Sequence, residues 1–184
     1  MESTLTSATE QPRRASADLR EIILGAQDNL INVLATVLGV AIGSGSTKIV
    51  ALAGLASGIA EAISMGGVLY TSTCAERDLH RRASDEGRAG PAVLKDPLRA
   101  AVVTFIAAAI AAAIPLAPFA LLPIHWAMLA SALLSVCALF ALGGYKGGVT
   151  GRPWWRDGLQ FVAIGGLAAF ASAMVGAALK TGAA

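Results

Sequence analysis

Five apolar runs, at about 22–43, 49–73, 98–122, 124–145 and 158–179, constrain this chain more than any other feature. At about 1.5 Å per residue, each run is long enough as a helix to cover a ~30 Å hydrocarbon core. A backbone inside lipid must satisfy its own hydrogen bonds, and no alternating strand pattern competes, so helices are expected. The fold class that follows is an all-α membrane protein with five transmembrane helices in a single domain, 21–180. Charged residues make up only 14% of the 184 residues, where a soluble domain carries about 25%, and most of them fall in three short stretches. Residues 1–20 are polar and lack the apolar core of a signal peptide, so they read as a disordered tail.

The basic residues set the expected orientation. Twelve of the fourteen lie before run one, between runs two and three, or between runs four and five, all on one side if five spans are threaded. Only Lys48 and Lys180 fall on the other side. The positive-inside rule then puts the N-terminus in the cytoplasm and the C-terminus outside. Trp154 and Trp155 beside the last basic loop, and Trp126 at the opposite end, take interfacial anchor positions. The absence of organelle signals points to a bacterial inner membrane.

Against this apolar background two acids stand out. Glu61 lies near the middle of the second run, roughly 18 Å from either end, too far to reach water by stretching. Asp28 lies about six residues into the first run, with Asn29 beside it and Asn32 one turn on. A carboxylate near the bilayer centre costs about 2.5–3.5 kcal/mol on insertion scales, and such groups usually face a polar path or a cation. Met65 is four residues from Glu61, so the carboxylate and the thioether share a helix face, as does Ser57 one turn earlier. Carboxylate oxygen with thioether sulfur favours a transition-metal ion over magnesium or calcium. Gly54, Gly58, Ala62 and Gly66 form an adjacent ridge of small residues, where another helix can approach closely. Gly39 and Gly43 offer a similar surface, to a neighbouring helix or to a second copy of the chain.

The remaining segments carry less. The 74–97 stretch mixes both charge signs. Its first half can continue the second helix before Gly87, Gly90 and Pro91 break it, and it reads as a solvated loop. The sharper alternative is a metal-collecting surface of Glu76, Asp78, His80, Asp85 and Glu86, opposed by the interspersed arginines. Pro115 and Pro118 are expected to kink or shorten the third helix. Gly143, Gly147 and Gly151 are expected to mark a tight turn after the fourth. Cys74, Cys137 and His125 read as packing or interfacial residues. No phosphate loop, dinucleotide fingerprint, HExxH or nucleophile elbow occurs, so an enzyme is not expected. No cofactor and no nucleic-acid partner are expected either.

The stretches EIILGAQDNLINVLATVLGVAIGSGS and ALAGLASGIAEAISMGGVLYTSTCAERD resemble the vacuolar iron transporter family. The resemblance rests on an acid in span one, here Asp28-Asn29, and on Ser64-Met65 followed by Tyr70 in span two. DPLRAAVVTFIAAAIAAAIPLAPF and GGYKGGVTGRPWWRDGLQFVAIGGLAAF extend it over about residues 18–180. It implies a five-helix homodimer that exports Fe²⁺, often also Mn²⁺, from the cytosol, commonly against protons. It also implies that Asp28 and Met65 are ligands along the path; the role of Glu61 rests mainly on its placement in this chain. Two departures stand out. Asn29 replaces the usual glycine, and the Glu- and Met-rich metal-binding helices that plant members insert between spans two and three are replaced by a short loop.

The expected function is therefore a secondary transporter for divalent transition-metal ions with Asp28, Glu61 and Met65 as metal ligands. Asn32, Ser57 and Ser64 are expected to line the path. The alternative is a non-transporting scaffold in which the acids only pair helices.

Overall fold

In the computed structural model the backbone is described for residues 2–88 and 95–181, and side chains for Leu19, 21–88 and 95–180. Five helices follow one another: α1 (Glu2–Ser44), α2 (Thr47–Asp85), α3 (Pro97–Leu121), α4 (Ile124–Thr150) and α5 (Trp154–Thr181). All five contain stretches long and apolar enough to cross a membrane, that of α1 being Glu21–Ser44. No strand occurs among the described residues.

The fold class thus matches the five apolar runs, while several boundaries move. The backbone of residues 2–20 continues α1, where a disordered tail was expected. The second helix carries on past the apolar run to Asp85, and Gly87, at φ 69°, follows its end. Gly90 and Pro91 lie outside the described residues. Pro115 and Pro118 do not shorten α3: both sit inside it and are buried. Ser131 of α4 donates to the Pro115 carbonyl at 2.8 Å, which ties the proline-containing turn to its neighbour. Asp96 caps α3 by accepting from the Leu98 amide at 3.3 Å, with Pro97 at the first helical position.

The fourth helix differs most from expectation. It runs through Gly143 and Gly147 to Thr150, and only Gly151, at φ 71°, forms the turn. The two glycines are notches instead. A Cβ on Gly143 would stand 2.5 Å from the Asp157 carbonyl oxygen, and one on Gly147 would stand 2.9 Å from Trp154 Cα. They let the first turns of α5 lie directly on α4, so α5 starts at Trp154, earlier than its apolar run.

Helix α1 is the centre of the bundle and packs against each of the other four. Val33, Val37 and Ala41 join Val50, Ala112, Phe119 and Ala127 in one buried cluster. Leu30 and Ile31 join Ala111, Leu139 and Phe161 in the other. Lipid tails are as apolar as these side chains, so the packing relies on close backbone approach at small residues rather than on a hydrophobic drive. The Gly54–Gly58–Ala62–Gly66 ridge is buried against its own chain. A Cβ on Gly58 would meet Ala112 at 3.0 Å and Val33 at 3.4 Å, and one on Gly66 the Ala101 carbonyl at 3.2 Å. Gly39 is used the same way: a Cβ there would lie 2.8 Å from the Ser172 carbonyl oxygen of α5, and Gly43 faces Gly176. These glycines are therefore occupied inside one protomer and are not free for a second copy.

Candidate functional site

Asp28 and Glu61 meet. Packing of α1 on α2 brings the Glu61 carboxyl to hydrogen-bonding range of the Asp28 carboxyl and the Asn32 amide. Asp28, Asn32 and Glu61 are each half-buried in the single chain. Met65 and Ser57, one turn along α2 on either side of Glu61, are also half-buried on the same stripe. Ser64 is exposed on the protomer surface, apart from this half-buried stripe. The acids thus line a partly open face of the chain.

Asn29 explains why these helices meet in this register. It is fully buried, and its Nδ2 donates to the Gly58 carbonyl at 3.1 Å and to the Ala108 carbonyl at 2.9 Å. One side chain therefore ties α1 to both α2 and α3. The contact on α2 lies three residues before Glu61, and its own neighbour on α1 is Asp28. The glycine ridge makes this reach possible, because Gly58 presents a bare carbonyl edge to α1. Sequence reading noted Asn29 as a departure from a family pattern without assigning it this role. Its signal was the amide amid apolar neighbours.

A second feature missed in the sequence closes the end of the bundle where α1 enters the membrane. Glu21 is buried, and Lys95 Nζ pairs with its Oε1 at 2.9 Å. Arg77 Nε donates to the Lys95 carbonyl at 2.7 Å, so the chain entering α3 is held to both α1 and α2. The available signal was a lone acid opening the first apolar run, opposite a basic loop.

The metal-collecting surface considered for 74–97 does not assemble. Among the described residues no three His, Cys, Asp or Glu side chains converge to hold a metal ion. Glu76, Asp78, Asp85 and Glu86 are exposed along the extension of α2, and Glu86 pairs with Arg88. In one protomer the Asp28 cluster offers two carboxylates and an amide oxygen, with a thioether one turn away.

Comparison with known proteins decides the family. A family model described as the VIT family matches residues 19–89 and 83–177, which span all five helices. The chain belongs to the VIT family. Among curated VIT-family relatives, it is 26% identical over 175 residues to vacuolar iron transporter homolog 1 of Arabidopsis thaliana, covering 93% of this chain and 86% of that one. It is 30% identical over 163 residues to vacuolar iron transporter homolog 1 of Oryza sativa subsp. japonica, covering 82% and 68%. Homolog 5 of the same rice is 27% identical over 155 residues, covering 82% and 74%. The VIT-family membership and the five apolar helices make this a multi-pass membrane protein of a transporter family.

Proposed function

We propose that the protein moves Fe²⁺ or Mn²⁺ out of the cytosol in exchange for protons, through a path lined by Asp28, Asn32, Glu61 and Met65. The observation that carries this reading is the meeting of Asp28 and Glu61 from adjacent spans. Two carboxylates held together away from water repel each other unless protons or a cation neutralise them. A divalent cation supplies both missing charges at once, and protons supply them when the cation leaves. Exchange of one for the other is the chemistry of an antiporter. Met65 adds a soft donor on the same stripe, which favours a transition metal. The relatives' names carry iron, in keeping with this substrate class.

The partly open face that holds these residues supports a homodimer in which a second copy encloses the path. The relatives are named for the vacuole, so the expectation of a bacterial inner membrane draws no support from them. The proposal is export from the cytosol, without a choice of membrane. Purified protein in sealed vesicles, given Fe²⁺ or Mn²⁺ with and without a pH gradient, tests the reading. Metal flux that the gradient accelerates is expected. No flux of either ion, in vesicles where the protein is folded, leaves the scaffold alternative, with the acids serving only to pair α1 and α2.

A further inference from the structure

One group of charges outside the proposed metal path gathers at the α4–α5 turn. Between residues 141 and 170 the chain's charged side chains are Lys146, Arg152, Arg156 and Asp157. Asp157 is buried in the notch made by Gly143 and Gly147. Its Oδ1 lies 3.5 Å from Lys146 Nζ and 4.0 Å from Arg152 Nη1. One buried oxygen thus gathers two cations: it accepts a long bond from Lys146, which also lies over the Phe161 ring, and stands farther from Arg152 than the ~2.8 Å of a close charged N–H···O bond. The left-handed Gly151 turns the chain sharply enough to bring Arg152 back to this oxygen. The Arg152 side chain remains 70% exposed. Arg156 lies 5.2 Å over the Trp155 ring, and Trp154 and Trp155 are both exposed.

We propose that this turn binds the phosphate of an anionic phospholipid in the leaflet at this end of the bundle. Three cations against one buried carboxylate leave a surplus of positive charge at the surface, and the guanidinium fork of arginine matches phosphate geometry. Tryptophan pairs of this kind sit at headgroup depth. The ligand is a lipid rather than free phosphate because the cations are bordered by apolar surface. Tyr145, Val149 and Leu159 are exposed beside the turn, where acyl chains can lie and a free anion gains nothing. The inference stands independently of the metal path.

The test uses the full chain released from nanodiscs of equal parts phosphatidylglycerol and phosphatidylcholine, with retained lipid read by native mass spectrometry. Phosphatidylglycerol is expected to be enriched by roughly fivefold for each cation engaged. Arg152→Gln with Arg156→Gln should abolish the preference. Arg81→Gln with Arg82→Gln, which removes equal charge from the exposed extension of α2, should keep it. Equal retention of both lipids by the parent overturns the proposal, as does an equal loss in the α2 variant. Displacement of the retained lipid by millimolar inorganic phosphate overturns the lipid assignment. Should the turn variant not fold, Trp126→Phe protein, whose remaining tryptophans are both at the turn, is placed in vesicles of brominated lipid. Stronger quenching by brominated phosphatidylglycerol than by brominated phosphatidylcholine is then expected, and equal quenching overturns the proposal.

Discussion

Glu61 and Asp28 face each other across α1 and α2, and the proposed exchange needs both. Replacing Asp28 by Ala removes half of the charge that opposes the cation, and replacing Met65 by Ala removes the soft donor one turn from Glu61. Either variant is expected to lower metal export by at least tenfold at matched amounts of folded protein, measured as uptake into inverted vesicles. Full activity in both would take these residues out of the path. Glu61→Gln keeps size and hydrogen bonding but cannot exchange a proton. It should insert and assemble normally while metal flux loses its link to proton counterflow, read as internal pH during transport. Parent-like movement of both ions would make Glu61 a helix-pairing residue only. Asn29 acts through the others: its two bonds to backbone carbonyls hold α1, and so Asp28, in register. Hydrogen bonds between membrane helices contribute about 0.6 kcal/mol each on average. Asn29→Ala is therefore expected to cost roughly 1 kcal/mol of stability in detergent unfolding and to weaken apparent metal affinity more than it lowers maximal rate.

Helices here approach through glycine, and the glycines are not equivalent. Gly143 lies against the Asp157 backbone, so a methyl group at that point has nowhere to go except by pushing α5 off α4. Gly148, five residues on, meets nothing within 4 Å. Gly143→Ala is expected to destabilise by about 1–3 kcal/mol through overpacking. Gly148→Ala is expected to be neutral or to stabilise by up to about 1 kcal/mol through helix propensity. Thermal unfolding in a single detergent distinguishes the two, and equal effects would mean that the α4–α5 notch is not a fixed contact. The same pattern read in sequence suggested a turn, because glycine spacing alone does not tell a notch from a bend. The deciding fact is Asp157, a residue ten or more positions away that needs the room.

The chain leaves its acidic face partly open, while Gly39, Gly43, Gly54 and Gly58 are filled by its own helices. A dimer therefore cannot form through Gly39, Gly43, Gly54 or Gly58, as their spacing suggested. It is expected to form over the face that carries Asp28, Glu61 and Met65. Mass measurement in lipid nanodiscs should give two copies, and a strictly monomeric species that transports metal would refute this.

Five spans, their order and the two acids with their neighbouring thioether were legible in the sequence, because lipid imposes length and apolarity on every segment that crosses it and makes each exception conspicuous. The glycines of α4, the reach of Asn29 and the pairing of Glu21 with Lys95 were not. Each depends on which helix lies opposite, and apolar helices in lipid carry no polar–apolar periodicity strong enough to say so. The chemistry of the site was thus written locally, one residue at a time. Its assembly, an acid of α1 against an acid of α2 in a register pinned by Asn29, was decided only when backbone carbonyls and bare glycine surfaces came within a few ångströms of each other.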